Sequence, residues 1–231
     1  METLLKKGLA ELGLDCSGTP PLLRYGELLL ETNKVMNLTA ITEPKDVATL
    51  HFLDSAALLT LADLKGKTVV DVGTGAGFPG MPMKILEPSI QLTLLDSLGK
   101  RITFLQEVCD NLGLTDVQCV HARAEEFAAE HRQSFDFAVS RAVANLSVLG
   151  ELCLPLVKPG GYFLSMKSVE SGQELEAAKK AIQILGGRVE RTADYQIPST
   201  DVTHRVIFIK KIAETPKKYP RPFAKIKKNP L

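Results

Sequence analysis

A short β-branched strand that runs directly into a glycine-rich loop is the feature that most constrains the fold of this chain. Residues 69–80 read VVDVGTGAGFPG, with glycines at Gly73, Gly75 and Gly77 before the segment ends at Gly80. Glycine permits both a tight turn and the close approach of a ligand to the backbone. The segment is therefore typical of the nucleotide-binding corner of a doubly wound α/β fold.

The pattern continues from residue 67 to the C-terminal region. Short β-branched or apolar runs alternate with longer amphipathic segments, which indicates right-handed βαβ crossovers and a mostly parallel, doubly wound sheet. Strands are predicted at 68–72, 90–95, 117–120, 135–139, 161–166 and 206–209, and helices near 80–87, 99–112, 146–157 and 172–185. The fold class that these elements predict is α/β and Rossmann-like.

The chain divides into three predicted regions. Apolar residues recur at helical spacing in residues 1–63, which predicts an N-terminal helical cap with helices that start near Thr19-Pro20 and Glu43-Pro44. Residues 64–211 form the α/β domain, and residues 212–231 form a basic tail rich in proline and lysine.

The net charge of +1 conceals an uneven distribution. Residues 210–231 carry eight bases and one acid, a charge of +7, so the other 209 residues carry −6. The prolines of the tail favour an extended, solvated backbone. Such a tail is either an electrostatic arm for a polyanion or a disordered, solubilising end.

Composition excludes several classes of protein. An apolar fraction of 45% with little net charge is too high for a disordered chain, and charges interrupt every apolar run before it could span a membrane. The N-terminal region lacks a signal-peptide pattern, so a cytoplasmic protein is expected. The four cysteines have no CxxC pair or histidine at metal spacing, which predicts buried thiols and no metal site.

Two classes of ligand compete for the glycine loop. Gly75-x-Gly77-x-x-Gly80 matches the dinucleotide pattern, which would indicate an NAD(P)-linked oxidoreductase. The first glycine after the strand is Gly73, however, and the carboxylate of Asp71 at the strand end suits a ligand that presents a cation. S-adenosylmethionine carries both an ammonium and a sulfonium group.

The segment Asp71-Val-Gly73-Thr-Gly75-Ala-Gly77 resembles the D/E-x-G-x-G-x-G signature of class I S-adenosylmethionine-dependent methyltransferases. Five segments together resemble the bacterial small-subunit ribosomal RNA guanine-N7 methyltransferases, also called the glucose-inhibited division protein B family: 37–41 (NLTAI), 51–55 (HFLDS), 73–80 (GTGAGFPG), 95–101 (LDSLGKR) and 140–142 (SRA). The resemblance implies the class I methyltransferase fold, with methyl transfer from S-adenosylmethionine to N7 of one guanine in the 16S rRNA of the small ribosomal subunit. It names no obligate protein partner.

The cofactor site is predicted partly from the residues and partly from the resemblance. Asp96 ends the second strand, where its carboxylate could accept both ribose hydroxyls or, with Ser97, cap the next helix. The resemblance implies cofactor contacts from residues that this sequence matches: Gly73, Phe78, the Ala124-Glu125 pair and Arg141. Asp71 and Gly75 of the loop complete the predicted set, and Glu125 could instead be a surface residue that opens a short helix.

Candidates for catalysis and for substrate binding lie at other strand and helix ends. Arg141, His51 and Lys167 are the candidate catalytic residues, although His51 could instead be a satisfied histidine paired with Asp54 or Ser55. The residues expected to contact RNA are Asn37, Lys100, Arg101, Arg123 and Lys167.

The residues after the fourth strand narrow the chemistry. They read Ser140-Arg-Ala-Val and not the Asn/Asp-Pro-Pro-Tyr/Phe of amino-group methyltransferases, while Cys153 lies in an apolar helix and is expected in the core. A guanine N7 has a lone pair and no proton, so the site needs alignment and no general base. An alternative that stays open is a methyltransferase of a small molecule or protein.

Overall fold

The computed structural model describes residues 1–141 and 144–231. The N-terminal part is helical, as predicted: α1 covers Glu2–Glu11, a 3₁₀ turn covers Cys16–Gly18, and α2 covers Thr19–Met36. A third helical segment over residues 44–61, called α3, consists of Pro44–Asp46, a π-helical stretch Val47–Leu53, Asp54–Ala56 and Leu58–Leu61. Both α2 and α3 have proline in the first turn, where the missing N–H donor costs nothing.

Seven strands form one sheet in the order β3-β2-β1-β4-β5-β7-β6. Their bounds are Thr68–Val72, Gln91–Asp96, Val117–His121, Phe135–Arg141, Val157–Ser168, Gly187–Gln196 and Thr203–Lys211. The pairs among β1 to β5 are parallel, whereas β7 runs antiparallel to both β5 and β6. The predicted α/β class with a mostly parallel sheet is confirmed.

Helices cover both faces of the sheet. They are α4 (Gly80–Leu86), α5 (Gly99–Leu112), α6 (Ala124–Glu130), α7 (Leu146–Cys153, followed by a 3₁₀ turn Leu154–Leu156) and α8 (Gly172–Ile184). One apolar core lies between one face of the sheet and the helices that cover it, which are the N-terminal helices together with α4 and α5. A second core lies between the other face and α6 to α8. Cys153 is buried in the second core, as predicted.

The strand β6 was missed by the sequence prediction. It is the edge strand of the sheet, paired with β7 alone, and its outward residues are exposed. A strand with one neighbour and charged residues such as Arg188, Glu190 and Arg191 has the composition of a polar loop. Its alternating exposure becomes apparent only once the partner strand is in place.

The tail is packed against the second core, so the prediction of an extended, solvated end is wrong. Tyr219 and Ile226 are buried, and residues Phe223–Lys228 form a short helix, α9. The guanidinium of Arg132 donates to the backbone oxygens of Thr215 and Tyr219, both at 2.6 Å. The prolines shape a bound segment here and do not keep it in solvent. The division of the chain into regions 1–63, 64–211 and 212–231 stays a prediction.

Across the two described ranges, no helix has the length and apolar composition that a bilayer crossing would require.

Candidate active site

The loop after β1 is anchored to β2. The backbone N–H groups of Gly73 and Thr74 both donate to the carbonyl oxygen of Leu95, at 2.9 and 3.1 Å. Gly73 and Gly75 have φ values of 69° and 61°. This left-handed region costs a residue with a Cβ roughly 1–2 kcal/mol. These two positions therefore require glycine for backbone conformation.

The other two glycines are required for internal packing. A Cβ on Gly77 would lie 2.5 Å from the hydroxyl of Tyr25, and one on Gly80 would lie 2.9 Å from a carboxylate oxygen of Asp71. The match of Gly75, Gly77 and Gly80 to the dinucleotide pattern is thus explained by the backbone conformation of Gly75 and by the packing of Gly77 and Gly80. It no longer supports an NAD(P) site.

Asp71 lies fully buried beneath the loop. Its Oδ2 atom accepts hydrogen bonds from the hydroxyl of Thr74 at 2.7 Å and the backbone N–H of Gly80 at 2.8 Å. Burial raises the pKa of Asp71 to about 6, against the opposing effect of these two bonds. Asp71 was predicted to face a cationic ligand, and in the structure its contacts fix the shape of the loop.

Asp96 joins the loop to the next helix from the end of β2. Its Oδ2 atom accepts from the backbone N–H of Gly75 at 2.9 Å and from Arg101 at 3.2 Å, while its Oδ1 atom accepts from the N–H of Leu98 at 2.9 Å. The carboxylate thus bonds to the residue just before α5, and the helix itself has no side-chain cap. It also borders the cavity described next, and its contact with a ribose stays a prediction.

A cavity of 390 Å³ opens at the carboxyl ends of the first three strands and is called the β1–β3 cavity. Gly73 of the loop, Asp96 and Ser97 contribute to its wall, and so do residues 122–125 after β3. Apolar contacts come from Val72, Leu95, Leu149 and Leu152. The predicted cofactor residues Gly73, Asp96, Ser97, Ala124 and Glu125 thus meet in one place.

Phe223 of the tail also lines the β1–β3 cavity and was missed by the sequence prediction. Its backbone N–H donates to the carboxylate of Glu125 at 3.3 Å. An isolated phenylalanine between proline and lysine residues gives no signal of a site. Only the packing of the tail against α7 brings it there.

Arg141, at the end of β4, is the centre of a buried polar cluster. Its Nη1 atom donates to the backbone oxygen of Leu50 at 3.0 Å and to Asp54 Oδ2 at 2.8 Å. The other oxygen of Asp54 accepts from the hydroxyl of Tyr195 at 2.7 Å and from His204 Nδ1 at 2.8 Å. Burial alone would raise the pKa of Asp54, but the contacts from His204, Arg141 and Tyr195 outweigh it and lower the pKa.

His51 completes this cluster with both ring nitrogens engaged. Arg141 Nη2 donates to His51 Nδ1 at 2.8 Å, so the ring proton belongs on Nε2, which lies 2.8 Å from the hydroxyl oxygen of Thr39. The ring stacks on Phe78 with centroids 4.1 Å apart. Burial, and then the charge of Arg141, lower the pKa of His51 to about 3.

The geometry favours the satisfied-histidine interpretation of His51, with different partners from those predicted. Its ring contacts Thr39 and Arg141 and not Asp54, and Ser55 donates its hydroxyl to the backbone oxygen of His51. A neutral ring with no free nitrogen is poorly placed to act as a general base. Its contacts instead position Arg141.

Lys167 lies at the end of β5, beside a second cavity of 580 Å³ called the β4–β5 cavity. Its ammonium donates to the backbone oxygen of Ala144 at 2.6 Å and to Glu174 at 2.7 Å. Arg141 lines the same cavity, and so does His204, which the sequence prediction missed. No local sequence pattern points to His204, because its partner Asp54 is 150 residues away in the chain.

The loop and Arg141 border a third, smaller cavity of 200 Å³. Gly73 lines both this cavity and the β1–β3 cavity, whereas Arg141 lines both this cavity and the β4–β5 cavity. Phe78, His51 and Thr39 are also among its lining residues. The three cavities therefore lie in a row along the carboxyl edge of the sheet.

The predicted RNA contacts fall in separate places. Asn37 is exposed at the end of α2, where the ammonium of Lys100 donates to the adjacent oxygen of Met36 at 3.1 Å. Arg101 and Arg123 line the β1–β3 cavity, and Lys167 lines the β4–β5 cavity. The motif at 140–143 is described only to Arg141, because Ala142 and Val143 lie outside the described residues.

The β1–β3 cavity fits the nucleoside portion of S-adenosylmethionine. Asp96 offers a carboxylate at its edge, Leu149 and Leu152 offer apolar surface for a base, and Gly73 leaves the backbone open to a ligand. A carboxylate beside apolar walls at the end of the second strand is the arrangement that a ribose and its base require.

Comparisons with known proteins agree with this site. The family model described as "GidB: rRNA small subunit methyltransferase G" matches residues 19–203. A ribosomal RNA small subunit methyltransferase G of Alkaliphilus metalliredigens is 49% identical over 99% of this chain and 98% of its own length. A protein of the same name from Clostridium botulinum is 50% identical over 90% of this chain and 88% of its own length.

Solved structures match the fold at lower identity. A SAM-dependent methyltransferase from Aquifex aeolicus superimposes with a TM-score of 0.52 and 19% identity, covering 72% of this chain and 93% of that one. At this level of identity the likeness shows the fold alone, and it agrees with the predicted class I methyltransferase architecture.

Proposed function

The chain belongs to the GidB family of rRNA small subunit methyltransferases G, and from this premise we propose that it methylates N7 of one guanine in 16S rRNA. It is an enzyme that uses S-adenosylmethionine as methyl donor. The contribution of the structure is to suggest which residues hold the cofactor, which hold the RNA and where they meet.

The cofactor occupies the β1–β3 cavity in this proposal. Asp96 accepts the ribose hydroxyls, while Gly73 and Gly75 expose backbone to the methionine portion. Ala124 and Glu125 hold the adenine end, and Ser97 lines the same cavity. Arg141 and Phe78 border the adjoining cavity, and Asp71 acts through the shape of the loop.

When bound, S-adenosylmethionine supplies an electrophilic methyl group on its sulfonium, which the lone pair of guanine N7 can attack in line. Guanine N7 carries no proton, so the protein has none to remove. This agrees with a neutral His51 whose nitrogens are both engaged. The protein therefore has to align the two reactants, and alignment can lower the activation barrier of methyl transfer by up to about 7–11 kcal/mol.

The observation that carries the proposal is the row of cavities joined by Gly73 and Arg141. Gly73 lines both the β1–β3 cavity and the smaller cavity that Arg141 borders, so a methyl donor held beside Gly73 would face the space next to Arg141. The guanine lies on the Arg141 side, in the β4–β5 cavity with Lys167 and His204. The arginine fork is fixed by three acceptors, so its position is set before RNA binds.

The remaining predicted contacts serve the RNA backbone. Asn37 and Lys100 lie together at the end of α2, and Arg101 and Arg123 lie beside the β1–β3 cavity. Phosphate contacts from such groups position an RNA without reading its sequence. We further propose that the enzyme acts in the cytoplasm on the small ribosomal subunit and needs no obligate protein partner.

The test is mass spectrometry of 16S rRNA from cells with and without the gene. We expect one 7-methylguanosine to disappear in the deletion strain and to return when the gene is restored. A gene with Asp96→Ala should fail to restore it, whereas one with Lys65→Ala, at the opposite edge of the sheet, should succeed. An unchanged set of methylated guanines in the deletion strain would refute the assigned reaction.

A further inference from the structure

The C-terminal tail reaches the wall of the cofactor site, which neither its composition nor its charge suggests. We propose that the ring of Phe223 covers the adenine base of S-adenosylmethionine and determines how tightly the nucleoside is held. This inference rests on the proposed function, because it takes the β1–β3 cavity to be the cofactor site. It gives the tail a role in cofactor binding that is separate from any contact with RNA.

The tail is fixed to the body by a buried ion pair just before Phe223. Glu151 of α7 is fully buried, and its carboxylate accepts from Arg221 Nε at 2.8 Å and Nη2 at 2.7 Å. It also accepts from the backbone N–H of Arg221 at 2.8 Å. A two-pronged arginine–carboxylate pair fixes orientation as well as distance. The backbone two residues before Phe223 is therefore held in one place.

A second anchor lies three residues after Phe223. Ile226 is fully buried in the second core, on the side of the sheet that α6 and α7 cover. Between the two anchors the N–H of Phe223 donates to Glu125, the residue predicted to flank the adenine. The ring is thus held on both sides and lines the β1–β3 cavity.

The order of groups along the cavity assigns the ring to the base. In the proposed function Gly73 holds the methionine end and Asp96 the ribose, which leaves residues 122–125 of the cavity wall for the base. Phe223 is the aromatic side chain among the described residues that line this cavity. An aromatic face is the surface on which a nucleobase stacks, and this contact is sequence-independent in proteins that hold single bases.

The experiment measures binding of S-adenosylhomocysteine by calorimetry to the full chain and to Phe223→Ala. Loss of a stacked base should weaken affinity roughly tenfold, and Phe223→Tyr should retain affinity because it keeps the aromatic face. Lys227→Ala, on the exposed side of the same short helix, serves as the matched control and should bind as the wild type does.

A spectroscopic arm separates a contact from a general effect on folding. The chain contains no tryptophan, so Phe223→Trp introduces a single reporter. We expect its fluorescence to be quenched saturably by S-adenosylhomocysteine, while that of Lys227→Trp stays unchanged. Homocysteine alone, which lacks the base, should leave both signals unchanged.

The outcomes distinguish this inference from the proposed function. The tail inference is overturned, while the cofactor site stands, if the wild type binds S-adenosylhomocysteine and Asp96→Ala binds it more weakly, but Phe223→Ala keeps its affinity and Phe223→Trp is not quenched. If the wild type does not bind S-adenosylhomocysteine at all, both fail. Quenching of Phe223→Trp together with the loss of affinity in Phe223→Ala supports the inference, even if Phe223→Ala is less stable.

Discussion

Single residues in this site are constrained by backbone conformation and by burial. Gly73 has a left-handed backbone and lines two of the three cavities, so a side chain there would act in two ways. His51 and Asp71 show the effect of burial, which favours the uncharged form of each. A neutral His51 can accept from Arg141, and this sets the position of the arginine.

The variant Gly73→Ala should lose most of its affinity for the cofactor. The new Cβ would impose a strain of roughly 1–2 kcal/mol on a left-handed backbone and would occupy space beside the ligand. Calorimetric titration with S-adenosylhomocysteine measures the change. Gly66→Ala, also left-handed but distant from the cavities, is the control for strain alone. Equal affinity of Gly73→Ala and the wild type would show that the loop does not hold the cofactor.

Acid should destabilise the protein in part through His51. Its pKa is about 3 in the folded chain, against an ordinary value of 6.5, so the unfolded chain takes up a proton that the folded chain does not. The associated stability is complete above pH 6.5 and is lost as pH falls from 6.5 toward 3. Between pH 7.5 and 4.5 this amounts to about 3 kcal/mol in the free energy of unfolding.

Urea unfolding at the two pH values tests this expectation. His51→Gln should lose about 3 kcal/mol less than the wild type between them, because glutamine does not titrate. His121→Gln, at an exposed position, should keep the dependence of the wild type on pH. The assigned protonation of His51 is wrong if His51→Gln and the wild type lose the same stability.

Secondary-structure elements meet at Asp54, which connects α3 to three strands. Its carboxylate accepts from Arg141 of β4, Tyr195 of β6 and His204 of β7. The side chain is fully buried, so each contact replaces water that the carboxylate has lost. The N-terminal helices are thus coupled to the strand that carries the central arginine of the site.

Removing this carboxylate should be strongly destabilising. Asp54→Ala leaves a largely buried arginine without its partner, which typically costs about 3–5 kcal/mol. Urea unfolding measures the loss, and the exposed Asp63→Ala should change stability by less than about 0.5 kcal/mol. A cost for Asp54→Ala as small as that of Asp63→Ala would show that the cluster is not a structural connection.

Arg141→Lys keeps the positive charge at this position and removes the planar set of guanidinium donors. A lysine can reach one of the three acceptors but cannot hold all of them, so we expect weaker methyl transfer and a less stable cluster. Single-turnover methylation of small-subunit RNA, with urea unfolding in parallel, measures both quantities. Unchanged rates would mean that Arg141 contributes its charge alone.

Across the whole molecule, charge is distributed unevenly between the tail and the body. Residues 210–231 carry +7 and the other 209 residues −6. Phe223, the first residue of α9, lines the β1–β3 cavity. Lys225, Lys227 and Lys228 are exposed on α9. The basic surface is therefore held at a defined position relative to the cofactor site, where a flexible arm would leave it free to move.

The double variant Lys227→Ala, Lys228→Ala should bind small-subunit RNA more weakly and with a smaller dependence on salt. Each lost phosphate contact lowers the slope of log affinity against log salt by about 0.7–0.9. Filter binding at several salt concentrations gives the slope. Lys65→Ala, Lys67→Ala, which precede β1 at the opposite edge of the sheet, should leave it unchanged. An identical slope in both double variants would exclude these tail lysines from RNA binding.

The sequence alone determined the fold class, the loop and the family, because these depend on local patterns. A strand that enters a glycine turn is recognisable from period, β-branching and glycine spacing, whatever the rest of the chain does. The start of α2 is equally local, since proline in its first turn sets it. The helix predicted over 146–157 instead ends at Cys153, and Pro155 lies in the 3₁₀ turn that follows. Asp96 could also be predicted as a residue of the site, because it ends the second strand in the chain.

Only the tertiary structure decided the partners of His51, the role of Asp54 and the place of the tail. His204 reaches Asp54 across 150 residues, and Arg221 reaches Glu151 across 70. Contacts of that separation leave no periodic signal, because they depend on how strands and helices pack. For the same reason β6 resembled a loop and Phe223 resembled part of a solvated tail. Pairing with β7 defines β6. The buried carboxylate of Glu151 and the buried Ile226 hold the segment that contains Phe223.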